Sequence, residues 1–171
     1  MGATSWKYFT QYKFDIKDAF ANLRQQEFNA GRYGMNDNLM NIVEQKAKEL
    51  NLPNDKLEEF KKAYQNLSRL KGKSKKTPKT IEQLLKNTKD NGTHSIIDIA
   101  DIELSTDKNV SGTLSSDDLL ELFGTEHPTH EMVNSKADEL INFRKRGLCT
   151  YVVVYHKQTP TEIFFAGYSG D

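Results

Sequence analysis

The stretch LCTYVVVYH at 148–156, followed after four residues by TEIFFAGY at 161–168, decides the fold of this 171-residue chain. Valine, isoleucine, phenylalanine and tyrosine dominate both runs, and such branched and aromatic residues favour a β-strand. The intervening Lys157-Gln158-Thr159-Pro160 has the length of a hairpin loop. The two runs therefore predict neighbouring antiparallel strands.

Two further strands and about six helices complete the predicted fold. An aromatic run near 5–12 and an isoleucine-rich run near 95–103 supply the strands, with a helix as the alternative for the second run. Capping residues, apolar residues at helical spacing and glycine stops predict helices that begin near Asp15, Leu39, Asn54, Thr80, Ser115 and Thr129. We expect a single α+β domain, 1–171, with helices covering an antiparallel sheet of about four strands.

Charge is balanced over the whole chain, 24 basic residues against 24 acidic ones, but it is unevenly distributed. Residues 56–89 contain eleven Lys or Arg and three Asp or Glu, whereas residues 90–131 contain ten acidic residues and only Lys108. Opposite charge blocks favour association with a charged partner. The alternative is that both blocks are ordinary solvated surface.

Arg144 to Arg146 fall in the last turn of the helix predicted from Thr129, where cations complement the helix dipole.

The basic block contains a segment without apolar residues, 71–79, which is predicted to be an exposed linker or arm. A lysine arm without interleaved aromatic residues would bind nucleic acid only nonspecifically, through its phosphates. The candidate binding residues of this arm are Lys71, Lys73, Lys75, Lys76 and Lys79.

A polar loop at 107–118 resembles the calcium loop of an EF-hand, and the resemblance continues through an exit helix to residue 128. Oxygen-bearing side chains fall at the ligand positions of the loop, and Gly112 falls where the turn of an EF-hand needs a positive φ. Against calcium, Ser105 and Thr106 stand where an EF-hand has apolar helix residues. Turn and capping chemistry alone also explains the loop. The candidate calcium ligands are Asp107, Asn109, Ser111, Thr113, Ser115 and Asp118.

The segment Gly92-Thr93-His94-Ser95, followed by Asp98, is a candidate site for acid–base chemistry or for a small ligand. Histidine titrates near neutral pH, and a hydroxyl and a carboxylate lie within a few residues of it. The tail Gly167-Tyr168-Ser169-Gly170-Asp171 either frays or folds back to line a pocket. The candidate catalytic residues are therefore His94, Asp98 and Asp171, with structural roles as the alternative.

A single cysteine, Cys149, excludes an intrachain disulfide and favours a reducing compartment. It lies on a predicted core strand, where we expect it to be packed rather than reactive. The longest apolar run, 151–155, is far shorter than the ~20 residues of a membrane-spanning helix. The N-terminal residues lack the pattern of a signal peptide. We therefore expect a cytoplasmic protein without a membrane contact.

Several short motifs together resemble a family of uncharacterised small bacterial proteins. They are the Trp-x-Tyr-Phe start at 6–9, the segment Gly-Thr-His-Ser-Ile at 92–96, Phe123-Gly124 before Pro128-Thr129, and the end Gly-x-Ser-Gly-Asp at 167–171. The resemblance spans the chain but implies no established activity, so it assigns no site residues. It draws attention to the His94 segment and the tail, and it implies that the 105–114 loop need not keep calcium ligands.

No complete catalytic set is present, and the charge blocks favour a small binding or regulatory protein with a protein partner. An immunity, antitoxin or defence-associated component is an example of such a protein. The alternatives are an enzyme or ligand-binding domain built on His94, Asp98 and the tail, and a calcium-binding protein built on 107–118. An enzyme is the less favoured interpretation.

Overall fold

A computed structural model of the chain describes residues 4–33, 53, 55–59, 62, 78–89 and 92–169. The strands are β1 (Ser5–Gln11), β2 (Gly112–Thr113), β3 (Cys149–His156) and β4 (Thr159–Tyr168). The helices are α1 (Ile16–Asn29), α2 (Ile81–Asn87), α3 (Ser116–Phe123), α4 (His130–Ser135) and α5 (Ala137–Ile141), with residues 55–59 also helical and a 3-10 turn at Ile96–Asp98. The fold is α+β, as predicted. The helix predicted from Leu39 and residues 71–77 of the lysine arm lie outside the described residues.

The four strands form one sheet in the order β1-β4-β3-β2. β4 pairs antiparallel with both β1 and β3, whereas β2 pairs parallel with β3, so the sheet is mixed rather than purely antiparallel. The β3–β4 hairpin turns on two residues, Lys157 and Gln158, with φ values of 48° and 69°. This two-residue geometry suits the twist of a hairpin, and it makes the connection shorter than the four residues predicted.

The strand predicted near 95–103 was wrong, and the short β2 supplies the fourth strand instead. Ser95 caps the 3-10 turn by accepting the Ile97 N–H, and the Ile97 carbonyl accepts a hydrogen bond from the Arg24 guanidinium at 2.9 Å. Four isoleucines of this segment are at most 1% exposed: Ile96, Ile97, Ile99 and Ile102. Burial under α1 explains the isoleucine-rich pattern without a strand.

Alternating side chains of β3 and β4 bury both faces of the sheet. On one face, Tyr151, Ile163 and Phe165 pack against α1 and the isoleucine segment. On the other face, Val152, Val154, Phe164 and Ala166 pack against α3, α4 and α5, which contribute Phe123, Val133, Leu140 and Ile141. The sheet is therefore the middle of three layers, with its hydrophobic cores on either side of the hairpin.

Capping residues set the helix ends. Asp15 accepts the N–H groups of Lys17 and Asp18 at the start of α1, and Ser115 and Asp118 form a capping box at α3. The single helix predicted from Thr129 is interrupted at Lys136, which separates α4 from α5. No helix within the described ranges is long and apolar enough to cross a membrane.

Candidate functional site

The predicted site at 92–98 folds into a tight polar turn. His94 has a φ of 55°, in the left-handed region that residues other than glycine rarely adopt. The Thr93 N–H donates to both carboxylate oxygens of Asp98, at 2.8 and 3.0 Å, and the hydroxyl oxygens of Thr93 and Ser95 lie 3.0 Å apart. Thr93 and Ser95 are buried, whereas His94 and Asp98 are partly exposed. A left-handed backbone at a residue other than glycine is strained and persists only where the surrounding structure fixes it, and such residues cluster at functional sites.

Thr4, the first residue that the structure describes, links the turn at His94 to Ser169, the last described residue. The His94 Nδ1 atom lies 3.0 Å from the Thr4 hydroxyl. Thr4 is joined in turn to Ser169, whose hydroxyl accepts the Thr4 N–H and whose N–H donates to the Thr4 carbonyl, both at 3.0 Å. Ser169 is fully buried. The residue before β1, the residue after β4 and the turn at His94 therefore form one polar network.

This network contains only part of the predicted site. Ser169 is linked to His94 through hydrogen bonds of Thr4, whereas Asp171 lies outside the described residues. Asp98 stands in the same turn and binds the Thr93 backbone. Catalytic roles for His94, Asp98 and Asp171 stay predictions.

The candidate calcium ligands have other partners in the structure. Asp107 accepts both the backbone and the side-chain N–H of Asn109 at 2.9 Å, and these bonds lower the pKa of its carboxyl. Ser111 is buried, and its hydroxyl accepts the Cys149 N–H at 3.0 Å. Burial acts to raise the pKa of Asp118, but hydrogen bonds from Ser115 and the nearby charge of Lys108 together outweigh it and the pKa is lowered. Asp118 thus serves α3 as a cap.

The guanidinium of Arg144 reaches the carbonyls of the same loop. Nη1 donates to the carbonyl oxygens of Asp107 and Val110, the latter at 2.6 Å, and Nη2 donates to the Thr113 carbonyl at 2.6 Å. Arg144 is only 5% exposed, and arginine keeps its charge in proteins. The sequence predicted Arg144 in the last turn of the helix from Thr129, complementing the helix dipole, but it follows α5 and is buried against 107–113. No local pattern shows which carbonyls a distant arginine will reach.

Calcium binding at 107–118 therefore stays a prediction. The guanidinium of Arg144 already binds carbonyls of this loop. The carbonyl at 113, which an EF-hand loop gives to calcium, accepts from Arg144 instead. Among the described residues, which include the whole loop, no three His, Cys, Asp or Glu side chains are grouped so that they could hold a metal ion.

The acidic block, where the structure describes it, divides into carboxylates with internal partners and carboxylates without them. Asp98, Asp101 and Asp118 bind Thr93, Lys17 and Ser115 respectively. Asp117 and Glu121 are exposed on α3 and form no ion pair with a described residue. Leu120 lies with them on one side of the helix and is 49% exposed. We call Asp117, Leu120 and Glu121 the acidic face of α3.

Two histidine contacts near the hairpin were not predicted from the sequence. His130 Nδ1 lies 2.8 Å from Glu162 Oε2, and the His130 ring stacks on Phe9 at 4.1 Å between centroids. His127 Nδ1 lies 2.5 Å from the Gln158 side-chain oxygen. The two histidines stand three residues apart in the sequence, on either side of Pro128. Their partners come from β1, β4 and the hairpin turn, and no short-range signal reveals them.

Of the five candidate lysines, only Lys79 lies in the described part of the chain. It is exposed, and its N–H donates to the Gln83 side chain at the start of α2, at 2.9 Å. Lys71, Lys73, Lys75 and Lys76 lie outside the described residues, so binding through the arm stays a prediction.

Comparisons with protein families, with curated proteins and with solved structures find no match to this chain.

Proposed function

We propose that the chain is a small binding or regulatory protein that recognises a basic protein partner through the acidic face of α3. An immunity, antitoxin or defence-associated component would act in this way. The observation that supports the proposal is the exposure of Leu120, about half of whose surface is open to solvent beside two carboxylates. An apolar anchor with a charged rim is the usual composition of a protein interface.

The internal partners of the other carboxylates strengthen this choice of surface. Asp98 accepts the Thr93 N–H, Asp101 pairs with Lys17, and Asp118 belongs to the capping box of α3. If these carboxylates bound a partner instead, those bonds would be lost. Asp117 and Glu121 carry no such cost. Rim charges of this kind mainly raise the rate of association and its sensitivity to salt.

The test is capture of a partner from the native cell with matched variants. Wild-type protein should retain one partner in stoichiometric amount at low salt and lose it at high salt. Asp117→Asn with Glu121→Gln should weaken the captured complex about tenfold, equivalent to about 1.4 kcal/mol. The control, Asp138→Asn with Glu139→Gln, neutralises two exposed carboxylates on α5 and should retain the partner. Salt-independent capture, or equal loss in both variants, contradicts the proposal.

A second candidate function is a ligand-binding or enzymatic site at His94, with Asp98 and the tail at Asp171. The left-handed backbone of His94 and its bond to the Thr4 hydroxyl favour it. A panel of small polar molecules, screened by thermal shift, tests it. His94→Asn suits the comparison because asparagine tolerates a positive φ. A molecule that stabilises wild type and His156→Asn but not His94→Asn supports the site. The absence of any such molecule counts against it.

A further inference from the structure

β1 lies at one edge of the sheet, and its register with β4 shows which of its backbone groups point away. The two strands pair antiparallel, with Ser5 opposite Tyr168. Just beyond the two ends of β1, the Ser169 N–H donates to the Thr4 carbonyl and the Tyr12 N–H donates to the Thr161 carbonyl. Hydrogen-bonded positions alternate along an antiparallel pair. Even-numbered residues of β1 therefore bond to β4, and odd-numbered residues face outward.

The outward residues of β1 are Ser5, Lys7, Phe9 and Gln11. Within the described part of the chain, no group forms a hydrogen bond with their N–H or carbonyl groups. Ser5, Lys7 and Gln11 are exposed and Phe9 is partly exposed. The strand thus presents alternating donors and acceptors along roughly 20 Å of open edge. Such an edge is a template for another strand.

We propose that this edge pairs with the same edge of a second copy of the chain, antiparallel and centred on Tyr8, so that two sheets become one. In this register Ser5 faces Gln11 and Lys7 faces Phe9 of the second copy, and every outward group is paired. Sliding the strands by two residues leaves end groups unpaired. One of the two slides also places Lys7 opposite Lys7, and like charges directly opposite destabilise a sheet.

Charge complementarity on one face of the sheet favours a second copy over an unrelated strand. Lys7 and Phe9 point to the same face as Glu162, which stands opposite Gln11 in β4. On that face His130 stacks on Phe9 and binds the Glu162 carboxylate. The proposed register therefore brings Lys7 of each copy beside the Phe9, His130 and Glu162 group of the other. Two-fold symmetry provides this match twice.

The first test is the mass of the protein in solution, measured by light scattering across a concentration series. We expect wild type to reach twice 19.6 kDa. Lys7→Pro removes one outward N–H and no bond to β4, so it should leave a folded monomer, because proline is tolerated where the N–H side of an edge strand faces outward. The control Lys7→Thr keeps the N–H and should remain a dimer. A wild-type monomer at every concentration, or a dimer that survives Lys7→Pro, overturns the proposal.

The second test fixes the register and does not depend on the proline variant folding. Ser5→Cys with Gln11→Cys places two thiols opposite each other in the proposed dimer, within the reach of a disulfide. The native Cys149 is buried and will not compete. The double variant should form a covalent dimer under mild oxidation, whereas Ser5→Cys alone should not. No covalent dimer from the double variant, or an equal amount from the single variant, overturns this register.

Discussion

At the scale of single residues, the guanidinium of Arg144 binds the loop that the sequence likens to a calcium site. Three carbonyls accept its N–H groups, those of Asp107, Val110 and Thr113. A planar cation with several donors in fixed directions can satisfy separate carbonyls, which a lysine ammonium does less well. The 107–113 loop therefore takes its shape from a residue that follows α5.

Replacing Arg144 with methionine should lower the free energy of unfolding by about 2–4 kcal/mol, because the carbonyls lose their donors in a buried place. Urea unfolding followed by circular dichroism measures the change. Arg146→Met is the matched control, since Arg146 is exposed, and it should stay within about 0.5 kcal/mol of wild type. Equal costs for both variants would show that the contacts of Arg144 do not stabilise the fold.

Cys149 should resist alkylation in the folded protein. Burial raises the pKa of its thiol to about 12, and the bond with Ser111 and the charge of Arg144 offset this only in part. The thiolate is the reactive form, so at pH 8 the folded protein holds very little of it. Because the thiol of the unfolded chain ionises near pH 9, the stability that the buried neutral thiol contributes is fully present below that pH and is lost as the pH rises towards 12. Rapid labelling without denaturant at pH 8 would contradict this expectation.

At the scale of elements, β2 depends on a close approach of two backbones. A Cβ at Gly112 would lie 2.1 Å from the Ser105 carbonyl oxygen, which accepts the Thr113 N–H at 2.9 Å. The EF-hand resemblance predicted a positive φ at Gly112. In the structure the position needs glycine because there is no room for a Cβ beside the Ser105 carbonyl. The two backbone segments approach so closely only because one position has no Cβ.

Gly112→Ala should therefore lower the free energy of unfolding by about 2–4 kcal/mol, because Ser105 must move and the parallel pairing of β2 with β3 is strained. Gly31→Ala separates steric from conformational cost. Gly31 has a φ of 70° with nothing near its Cβ position, so alanine there should cost only about 1 kcal/mol. Thermal melts of the two variants give the comparison. A smaller loss for Gly112→Ala than for Gly31→Ala would contradict the close approach.

Calcium at millimolar concentration should leave the melting temperature of the wild type unchanged, because Arg144 already takes the Thr113 carbonyl that an EF-hand would offer. A ligand that binds only the folded state raises the melting temperature, so the measurement is a melt with calcium against one with chelator. Magnesium controls for a general effect of divalent ions. A rise with calcium but not with magnesium would support the calcium site predicted at 107–118.

At the scale of the whole molecule, the sequence predicts the elements whose signals are local. β3 and β4 alternate branched and aromatic residues, and α1 has both a cap at Asp15 and a stop at Gly31. The strand predicted near 95–103 was wrong, because burial alone accounts for the isoleucines of that segment. β2 has only two residues, and its pairing depends on Gly112 and on β3, more than thirty residues away. Such pairing leaves no periodic pattern.

The candidate sites follow the same division between local and distant contacts. Asp118 was readable as a cap as well as a ligand, because its partner Ser115 is three residues away. The contact of Thr4 with His94 joins residues ninety positions apart, and the sequence did not predict it. Arg144 reaches its carbonyls across more than thirty residues. Residue types alone do not determine these pairs.

The two hydrophobic cores should unfold together, because β3 and β4 contribute side chains to both of them. Trp6, the one tryptophan of the chain, reports on the core beside α1, and circular dichroism reports on helices of both layers. Leu140→Ala in the opposite core should cost about 2–5 kcal/mol. If the sheet couples the cores, this variant should shift the fluorescence and circular dichroism transitions equally. A Trp6 transition that stays in place while the helical signal moves would show that the predicted single domain unfolds as two units.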